Sequence, residues 1–202
     1  MLPRPNVRPY ETIGLLGGSF DPPHQGHVAI TKAALTLFQL DRIWWLVTPG
    51  NPLKSRQPAP MEDRLAAARR VMDHPRVQIT DIETRLETTY TARTLQKLQA
   101  MYPKARFVWL MGADNLAQFD HWKDWEWIMQ NVPIGVLARP GQRISGRTSK
   151  AANIYRHAQL PARAAGLLAR AQAPAWCFLN VPMSDASSTA IRAKGAWGRS
   201  DT

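Results

Sequence analysis

The chain has 202 residues, of which 45% are hydrophobic and 20% are charged. This balance is typical of a globular protein and excludes a disordered chain. A single cysteine, Cys177, excludes an internal disulfide, a multi-thiolate metal site and an iron–sulfur cluster. The net charge is +11, and residues 139–202 hold 10 Lys/Arg against 2 Asp/Glu. Such a field favours anionic partners such as nucleic acid, acidic lipid or phosphorylated small molecules, but a solvated basic surface without a specific partner carries the same charge.

The sequence shows no pattern of a membrane span or an export signal. The apolar run at residues 43–47 is far too short to cross a bilayer. The first ten residues contain three prolines and two arginines but no apolar stretch, which is unlike a signal peptide. We therefore expect a soluble, reduced, cytoplasmic protein without a membrane partner.

Short apolar segments alternate with helical patterns along the chain. The apolar segments predict strands, and glycine or proline breakers follow several of them. Helices are predicted where apolar residues recur with a helical period or where an acidic first turn follows proline. The predicted strands are residues 12–17, 43–48, 77–82, 106–111, 134–138 and 175–181, and the predicted helices are residues 26–40, 60–73, 91–101, 114–130, 162–171 and 187–192.

This alternation predicts an α/β fold, a Rossmann-like doubly wound parallel sheet with helices on both faces and a C-terminal helical extension. We expect a single domain over residues 1–202. Within it, residues 1–11 are expected to form a flexible extension, residues 12–141 the core nucleotide-binding half and residues 142–195 a C-terminal part. Parallel sheets of this kind bind ligands at the carboxyl ends of their strands. The chemistry is therefore expected after residues 17, 48, 111 and 138.

The first strand–helix junction carries the most informative residues. Gly17 and Gly18 let the backbone approach a ligand, and the helix that follows offers free amides to a phosphate. His24 and His27 lie three residues apart at the start of that helix and therefore face the same side. Imidazoles placed there can donate hydrogen bonds to phosphate oxygens whose charge grows during a reaction.

Simpler interpretations of these residues remain open. Two glycines after a strand are often only a turn, and either histidine could serve only as a helix cap. The His-x-x-His pair could bind a metal, but no third ligand with suitable spacing accompanies it. Asp21 is more typical of a turn or cap than of an acid catalyst, and Phe20 of a packing residue.

Residues 17–27, Gly-Gly-Ser-Phe-Asp-Pro-Pro-His-Gln-Gly-His, resemble the signature of the nucleotidyltransferase superfamily with its His-x-Gly-His motif. A second hallmark of that superfamily, Ser-Ser-Thr-x-Ile-Arg, stands at residues 187–192. Within the superfamily, residues 12–194 are most similar to the bacterial nicotinate-nucleotide adenylyltransferases. The supporting segments are residues 48–54 (Thr-Pro-Gly-Asn-Pro-Leu-Lys), 89–91, 111–116 with Trp122, and 139–141 (Arg-Pro-Gly).

Two positions depart from that family. The Ser-Tyr-Thr common in the family is Thr89-Tyr90-Thr91 here. Lys123 follows Trp122, where some relatives carry an aromatic residue. Both departures concern the contacts to the nicotinate group and leave the superfamily motifs intact.

The resemblance implies transfer of the adenylyl group of ATP to nicotinate mononucleotide, giving deamido-NAD and pyrophosphate. The nucleophile is already a phosphate anion, so the reaction needs positioning and charge stabilisation rather than a covalent nucleophile. The family implies His24, His27 and Ser19 as catalytic residues, and Mg²⁺ that is held mainly by the phosphates and water. The implied ATP-binding residues are Gly17, Gly18, Ser19, His24, His27, Ser188, Thr189 and Arg192. The implied residues for the nicotinate nucleotide are Asn51, Lys54, Thr91, Asp114, Trp122 and Arg139.

Parts of the sequence are also compatible with other functions. An adenylyltransferase acting on nicotinamide mononucleotide or phosphopantetheine would share the superfamily motifs. A basic nucleic-acid-binding module built from residues 139–170 would explain the charge, but an RNA-reading aromatic motif and a helix-turn-helix are both missing from the sequence. We therefore expect ATP and nicotinate mononucleotide as partners and no nucleic acid, and the oligomeric state is left open.

Overall fold

A computed structural model describes residues 4–50, 57–138, 146–182, 188–193, 195 and 197. The strands in these ranges are β1 (Thr12–Gly18), β2 (Arg42–Val47), β3 (Val77–Thr80), β4 (Arg106–Gly112), β5 (Ile134–Ala138), β6 (Gln159–Leu160) and β7 (Trp176–Asn180). They form one seven-stranded sheet in the order β3-β2-β1-β4-β5-β7-β6. Every neighbouring pair runs parallel.

Helices connect these strands. The α-helices are α1 (Gln25–Leu37), α2 (Met61–Val71), α3 (Ile82–Arg85), α4 (Thr91–Met101), α5 (Ala113–Ala117), α6 (Trp125–Asn131), α7 (Lys150–Ile154) and α8 (Ser188–Ala193). Residues Phe119–His121 and Ala162–Arg170 form 3-10 helices. Among the described residues, none of the helices is long and apolar enough to cross a membrane.

A hydrophobic core covers each face of the sheet. On one face, strand residues such as Leu15, Trp44 and Trp109 pack with apolar residues of α4, α5, α6 and α7. On the other face, strand residues such as Leu16 and Trp45 pack with α1, α2 and the 3-10 helix Ala162–Arg170. The two-sided burial explains why the strands are continuously apolar, and it confirms the predicted doubly wound fold.

Several predicted elements differ in detail from the structure. The third predicted strand stops at Thr80, and Ile82 begins the short helix α3. Residues 114–130 do not form one helix, because Trp122 is extended (φ −76°, ψ 140°) and Asp124 is left-handed (φ 56°). The helix predicted at residues 162–171 is a 3-10 helix. The two-residue strand β6 and the helix α7 were not predicted, since their basic surroundings lack an apolar run.

The strand order reverses direction at β1 and β4. From β1 the chain builds outward through β2 to β3, and from β4 it builds outward through β5 to β7. The loops after β1 and β4 therefore diverge and open a crevice at the carboxyl edge of the sheet. The Gly17–His27 segment lies at this edge. The division of the chain into an extension, a core half and a C-terminal part stays a prediction.

Candidate active site

Gly17 and Gly18 are the last two residues of β1, and Gly17 packs against the indole of Trp109. A Cβ atom on Gly17 would lie 2.5 Å from Cη2 of Trp109, so a side chain at this position would displace the ring. The carbonyl of Gly18 accepts a hydrogen bond from the amide of Thr48 (3.0 Å), which ties the loop to the end of β2. Gly17 is therefore required by the close packing of β1 on β4.

The two histidines cap α1 reciprocally. Nδ1 of His24 accepts a hydrogen bond from the amide of Gly26 (3.1 Å), and Nδ1 of His27 accepts one from the amide of His24 (3.2 Å). The ring centroids are 3.9 Å apart. A nitrogen that accepts a hydrogen bond carries no proton, so the proton of each neutral imidazole lies on Nε2. The capping interpretation therefore holds, and the caps fix the tautomer of both rings.

Aromatic side chains pack near the ring of His27, and a hydroxyl group binds its backbone carbonyl. Its ring centroid lies 4.9 Å from that of Phe20, which is buried and stacked on Trp45 at 4.7 Å. The indole N–H of Trp45 donates to Oγ1 of Thr31 (2.8 Å), and the Thr31 hydroxyl donates to the carbonyl of His27 (2.8 Å). Phe20 is a packing residue, as predicted, and the histidine is held at both its ring and its backbone.

The second motif docks directly on this loop. The Ser188 hydroxyl donates to the carbonyl of Pro22 (2.9 Å) across a separation of 166 residues. Arg192 donates to the carbonyl of Asp21, and its Nη2 donates to Oγ1 of Thr189 (3.1 Å). The structure therefore brings α8, which carries Ser188, Thr189 and Arg192, to residues 17–27 (the histidine loop). Ser188 and Arg192 bond to this loop, whereas the bond from Arg192 to Thr189 lies within the helix.

Asp21 links this loop to two further segments. Its Oδ1 accepts hydrogen bonds from the indole N–H of Trp197 (2.6 Å) and from the amide of Ala59 (3.2 Å). Its Oδ2 lies 3.9 Å from a guanidinium nitrogen of Arg192. Asp21 is buried and serves as a structural acceptor, which agrees with the expected turn or cap role.

Arg64 on α2 is a residue that the sequence analysis missed. Its side chain is buried, and it donates hydrogen bonds to three backbone carbonyls (those of Ser19, Thr48 and Ala59). Burial lowers the pKa of the Arg64 guanidinium, and the nearby Asp21 carboxylate opposes that shift. The available signal was its position on the helix face that also carries the buried Leu65, Ala67 and Ala68.

A second group of predicted residues lies beyond β4 and at the start of α4. Trp122 is half-buried, with its ring edge-to-face against Trp109 (6.2 Å) and Phe119 (5.3 Å). Because Trp109 also touches Gly17, one indole connects Trp122 to the histidine loop. Asp114 is exposed in the first turn of α5, and its carboxylate lies so close to Gly112 that a Cβ there would collide with it.

Thr91 is linked to Trp122 through a contact between their chain neighbours, Tyr90 and Lys123. It is the first residue of α4, and Tyr90 precedes it. The Nζ atom of Lys123 lies 4.7 Å from the ring centroid of Tyr90, which joins the start of α4 to the segment that follows Trp122. Three other residues expected here, Asn51, Lys54 and Arg139, lie outside the described residues.

Glu83 supports α4 from the neighbouring helix α3. The Thr94 hydroxyl donates to Oε1 of Glu83 (2.9 Å), and the hydroxyls of Thr94 and Thr88 are 2.8 Å apart. The carboxyl is 4% exposed, and burial raises the pKa of Glu83 to about 7, partly offset by the hydrogen bond from Thr94. The sequence did not reveal this group, since an acidic residue in a short polar segment is ordinarily solvated.

A metal ion held by the protein would need several ligand side chains close together. Among the residues that the structure describes, groups of three or more His, Cys, Asp or Glu side chains that could hold a metal ion are absent. The carboxylate of Asp21, which belongs to the same loop as the histidines, accepts hydrogen bonds from Trp197 and Ala59. These residues do not fit a protein-built Mg²⁺ cage, which would need several oxygen ligands.

Sequence comparisons place this chain among adenylyltransferases. Residues 15–194 match the family model described as cytidylyltransferase-like. A protein of Ruegeria sp. (strain TM1040) named "Probable nicotinate-nucleotide adenylyltransferase" is 66% identical over 92% of this chain and 98% of its own length. A protein of the same name from Agrobacterium fabrum is 47% identical over 89% of this chain and 97% of its own length.

Solved structures share the fold. The nicotinic acid mononucleotide adenylyltransferase of Plasmodium falciparum complexed with NaAD superimposes with a TM-score of 0.67 and 16% identity, covering 91% of this chain and 83% of that one. A putative nicotinate-nucleotide adenylyltransferase of Vibrio parahaemolyticus gives a TM-score of 0.53 and 23% identity, covering 73% and 80%. At these identities the likeness establishes the architecture, which agrees with the parallel sheet described above.

Proposed function

We propose that this chain, which belongs to the cytidylyltransferase-like family and to the nicotinate-nucleotide adenylyltransferases within it, transfers the adenylyl group of ATP to nicotinate mononucleotide. The products are deamido-NAD and pyrophosphate, in a step of NAD biosynthesis. The observation that carries the proposal is the hydrogen bond from Ser188 to the carbonyl of Pro22, because it brings the two superfamily motifs together at one strand end.

The phosphate of the mononucleotide is the nucleophile, and the reaction is an in-line displacement at the α-phosphorus. The bond from that phosphorus to the pyrophosphate oxygen breaks as the new P–O bond forms, so a covalent enzyme intermediate is not needed. We assign His24 and His27 to the ATP phosphates, with His27 stabilising the charge at the α-phosphate. The Nε2–H tautomer supports this role, because that nitrogen can donate to a phosphate oxygen while Nδ1 holds the cap.

The remaining ATP contacts are assigned around the same loop. Ser19 and the amides of Gly17 and Gly18 are proposed to contact phosphate or ribose. The start of α8 offers the amides of Ser188 and Thr189 to the β- and γ-phosphates. Arg192 is proposed to offset the charge of the leaving pyrophosphate, and its position beside Asp21 places the guanidinium at the loop.

We assign the nicotinate mononucleotide to the region between the start of α4 and Trp122. The Trp122 ring is proposed to stack on the electron-poor pyridine ring, and Thr91 with nearby amides of α4 to bind the nicotinate carboxylate. Asp114 is proposed to hydrogen-bond a ribose. Asn51, Lys54 and Arg139 complete the assignment of the nicotinate nucleotide as the family resemblance implies.

We expect Mg²⁺ to enter as part of the Mg·ATP substrate, coordinated by phosphate oxygens and water. The histidines, Ser19 and Arg192 supply hydrogen-bond donors to the phosphates, and the Arg192 guanidinium supplies positive charge.

Pyrophosphate release tests the proposal. The purified protein is incubated with Mg·ATP and, separately, nicotinate mononucleotide, nicotinamide mononucleotide or phosphopantetheine. We expect the highest kcat/KM with nicotinate mononucleotide and deamido-NAD as the product. A higher kcat/KM with another acceptor would contradict the substrate assignment. Salt-sensitive RNA binding without transfer to any acceptor would instead favour the nucleic-acid-binding alternative.

A further inference from the structure

Arg64 connects three backbone segments that meet at the proposed site. Its Nη1 donates to the carbonyls of Ser19 (2.8 Å) and Thr48 (2.7 Å), and its Nε donates to the carbonyl of Ala59 (2.7 Å). Ser19 belongs to the loop after β1, Thr48 follows β2, and Ala59 precedes α2. With 1% of its surface exposed, the Arg64 side chain is buried beneath these segments.

Arg64 adds a second connection between the ends of β1 and β2, which already share a backbone hydrogen bond. The amide of Thr48 donates to the carbonyl of Gly18 (3.0 Å), while the carbonyls of Thr48 and Ser19 converge on one guanidinium nitrogen. The end of β1 is therefore joined directly to the residue after β2, and the first loop residue, Ser19, is joined to the same residue through Arg64. Since Ser19 directly follows the Gly17–Gly18 pair, the second link fixes the orientation of the peptides offered to the phosphates.

Packing alone does not account for a charge at this position. Desolvating a guanidinium costs several kcal/mol, and an apolar residue of similar volume often leaves a protein equally stable. What an apolar residue cannot supply is a rigid, planar set of donors that bridges separate carbonyls. The specific property of Arg64 is therefore geometric, because it sets the spacing of segments that are 45 and 16 residues away in sequence.

We propose that Arg64 is a positioning residue of the adenylyl-transfer reaction, which holds the Ser19 loop and the end of β2 at the spacing that the bound triphosphate requires. This inference rests on the proposed function. Arg64 acts through the backbone of Ser19 and Thr48 and does not contact the substrate.

The test compares Arg64→Met, which removes every donor, with two matched variants on the same helix. Leu65→Ala creates a cavity in the core beside α2, and Arg69→Met removes an exposed arginine. Because a misplacement of about 1 Å can lower a rate by about 10²-fold, we expect Arg64→Met to lower kcat/KM for ATP by about that factor. Leu65→Ala and Arg69→Met should keep the wild-type kcat/KM at a temperature where each is folded.

A conservative variant adds a second test. In Arg64→Lys, a single ammonium can replace Nη1 at Ser19 and Thr48 but cannot also reach Ala59, so we expect a loss of about tenfold, between the wild type and Arg64→Met. If Arg64→Met does not fold, Arg64→Lys alone decides. A wild-type kcat/KM in the folded Arg64 variants, or a loss in Leu65→Ala as large as that in Arg64→Met, would overturn the proposal.

Calorimetric titration with ATP alone separates this inference from the proposed function. We expect Arg64→Met to weaken ATP binding relative to the wild type and Leu65→Ala to leave it unchanged. If the wild type releases no pyrophosphate with nicotinate mononucleotide, the proposed function fails, while the ATP titration still decides the role of Arg64. Equal ATP affinities for the wild type and Arg64→Met would refute the positioning role directly.

Discussion

The two sides of the candidate site are held by different kinds of interaction. The side proposed to bind the phosphates (the phosphate side), residues 17–27 with α8, is held by hydrogen bonds to backbone atoms, including those of Ser188 and Arg64. The side proposed to bind the acceptor (the acceptor side) is the start of α4 with residues 113–123. It is held by edge-to-face aromatic contacts of Trp122, by the Lys123–Tyr90 contact and by the hydrogen bond from Thr94 of α4 to Glu83 of α3. Directional hydrogen bonds fix atoms closely, whereas aromatic edges leave a ring freer to reorient.

The buried charged groups of the two sides also differ. Arg64 stays protonated at any ordinary pH, so its links on the phosphate side are insensitive to pH. Glu83, which supports α4 on the acceptor side, has a pKa raised to about 7 by burial. We therefore expect substitutions on the phosphate side to change kcat and KM for ATP. Substitutions on the acceptor side should change KM for the pyridine nucleotide and the pH dependence of stability.

The largest expected effect is on the phosphate side, at His27. A Gln at the third position of a helix can still accept a hydrogen bond from the capping residue's amide, so His27→Gln removes the imidazole but keeps the cap. We expect kcat to fall by at least about 10²-fold, the usual loss when a transition-state donor is removed. The melting temperature should stay close to that of the wild type.

His27→Ala is the matched control for the cap. It should lose the same activity and, in addition, about 1 kcal/mol of stability, because the hydrogen bond from the amide of His24 to Nδ1 of His27 is lost. Steady-state kinetics and thermal melts measure the two quantities separately. Near-normal turnover in His27→Gln would remove this residue from the mechanism.

On the acceptor side, Glu83→Gln should change how stability depends on pH. Because the folded-state pKa of about 7 lies above the ordinary value of 4.5, the native state binds the proton more tightly, and stability falls as pH rises between these values. We expect the wild type to lose about 2 kcal/mol between a pH of about 5 and about 7.5 from this group.

In Glu83→Gln this contribution disappears, because the amide does not ionise yet can still accept from Thr94. Urea unfolding at several pH values measures the difference. Parallel pH profiles for the wild type and the variant would mean that Glu83 does not titrate in this window, and the contrast with Arg64 would be lost.

Trp122→Ala tests whether aromatic packing defines the acceptor side. Loss of the stacking surface should raise KM for nicotinate mononucleotide by about tenfold and leave KM for ATP nearly unchanged. Trp127→Ala, which removes another half-buried indole from the same core, controls for general loss of packing. Equal increases in both KM values would indicate a scaffold role for Trp122.

The smallest expected effect concerns the hydrogen bond between the two motifs, from Ser188 to the carbonyl of Pro22. Ser188→Ala removes the hydrogen bond to Pro22, worth about 1 kcal/mol, and should raise KM for ATP by about fivefold. Ser188→Thr keeps a hydroxyl and should behave like the wild type. Amide exchange across Ser188–Ala193 should be faster in the alanine variant, and unchanged exchange would show that other contacts hold α8.

The strands and the histidine loop were predictable because local patterns determine them. β1, β2, β4 and β5 are continuous apolar runs with clear ends, and a parallel sheet places their carboxyl ends at one edge. The cap at His24 and His27 follows from residues that are three positions apart. The meeting of the motifs was expected from the family resemblance, and the bond between Ser188 and Pro22 provides the contact.

The missed features depend on contacts between distant segments. An arginine in an amphipathic helix is ordinarily solvated, and Arg64 is buried only because two carbonyls from other segments face it. The break at residues 122–124 was also missed, since neither Gly nor Pro interrupts the sequence there. Asp124 adopts a left-handed conformation (φ 56°) that asparagine and aspartate tolerate better than most residues.

The docking of α8 has a consequence for when the site forms during translation. The histidine loop is synthesised 166 residues before the serine that later closes over it. At about 5–20 residues per second, this interval lasts roughly 10–30 s. Throughout it, the nascent chain holds the Pro22 carbonyl and the Asp21 carboxylate without the partners that α8 supplies, so nucleotide binding can mature only after α8 has been synthesised.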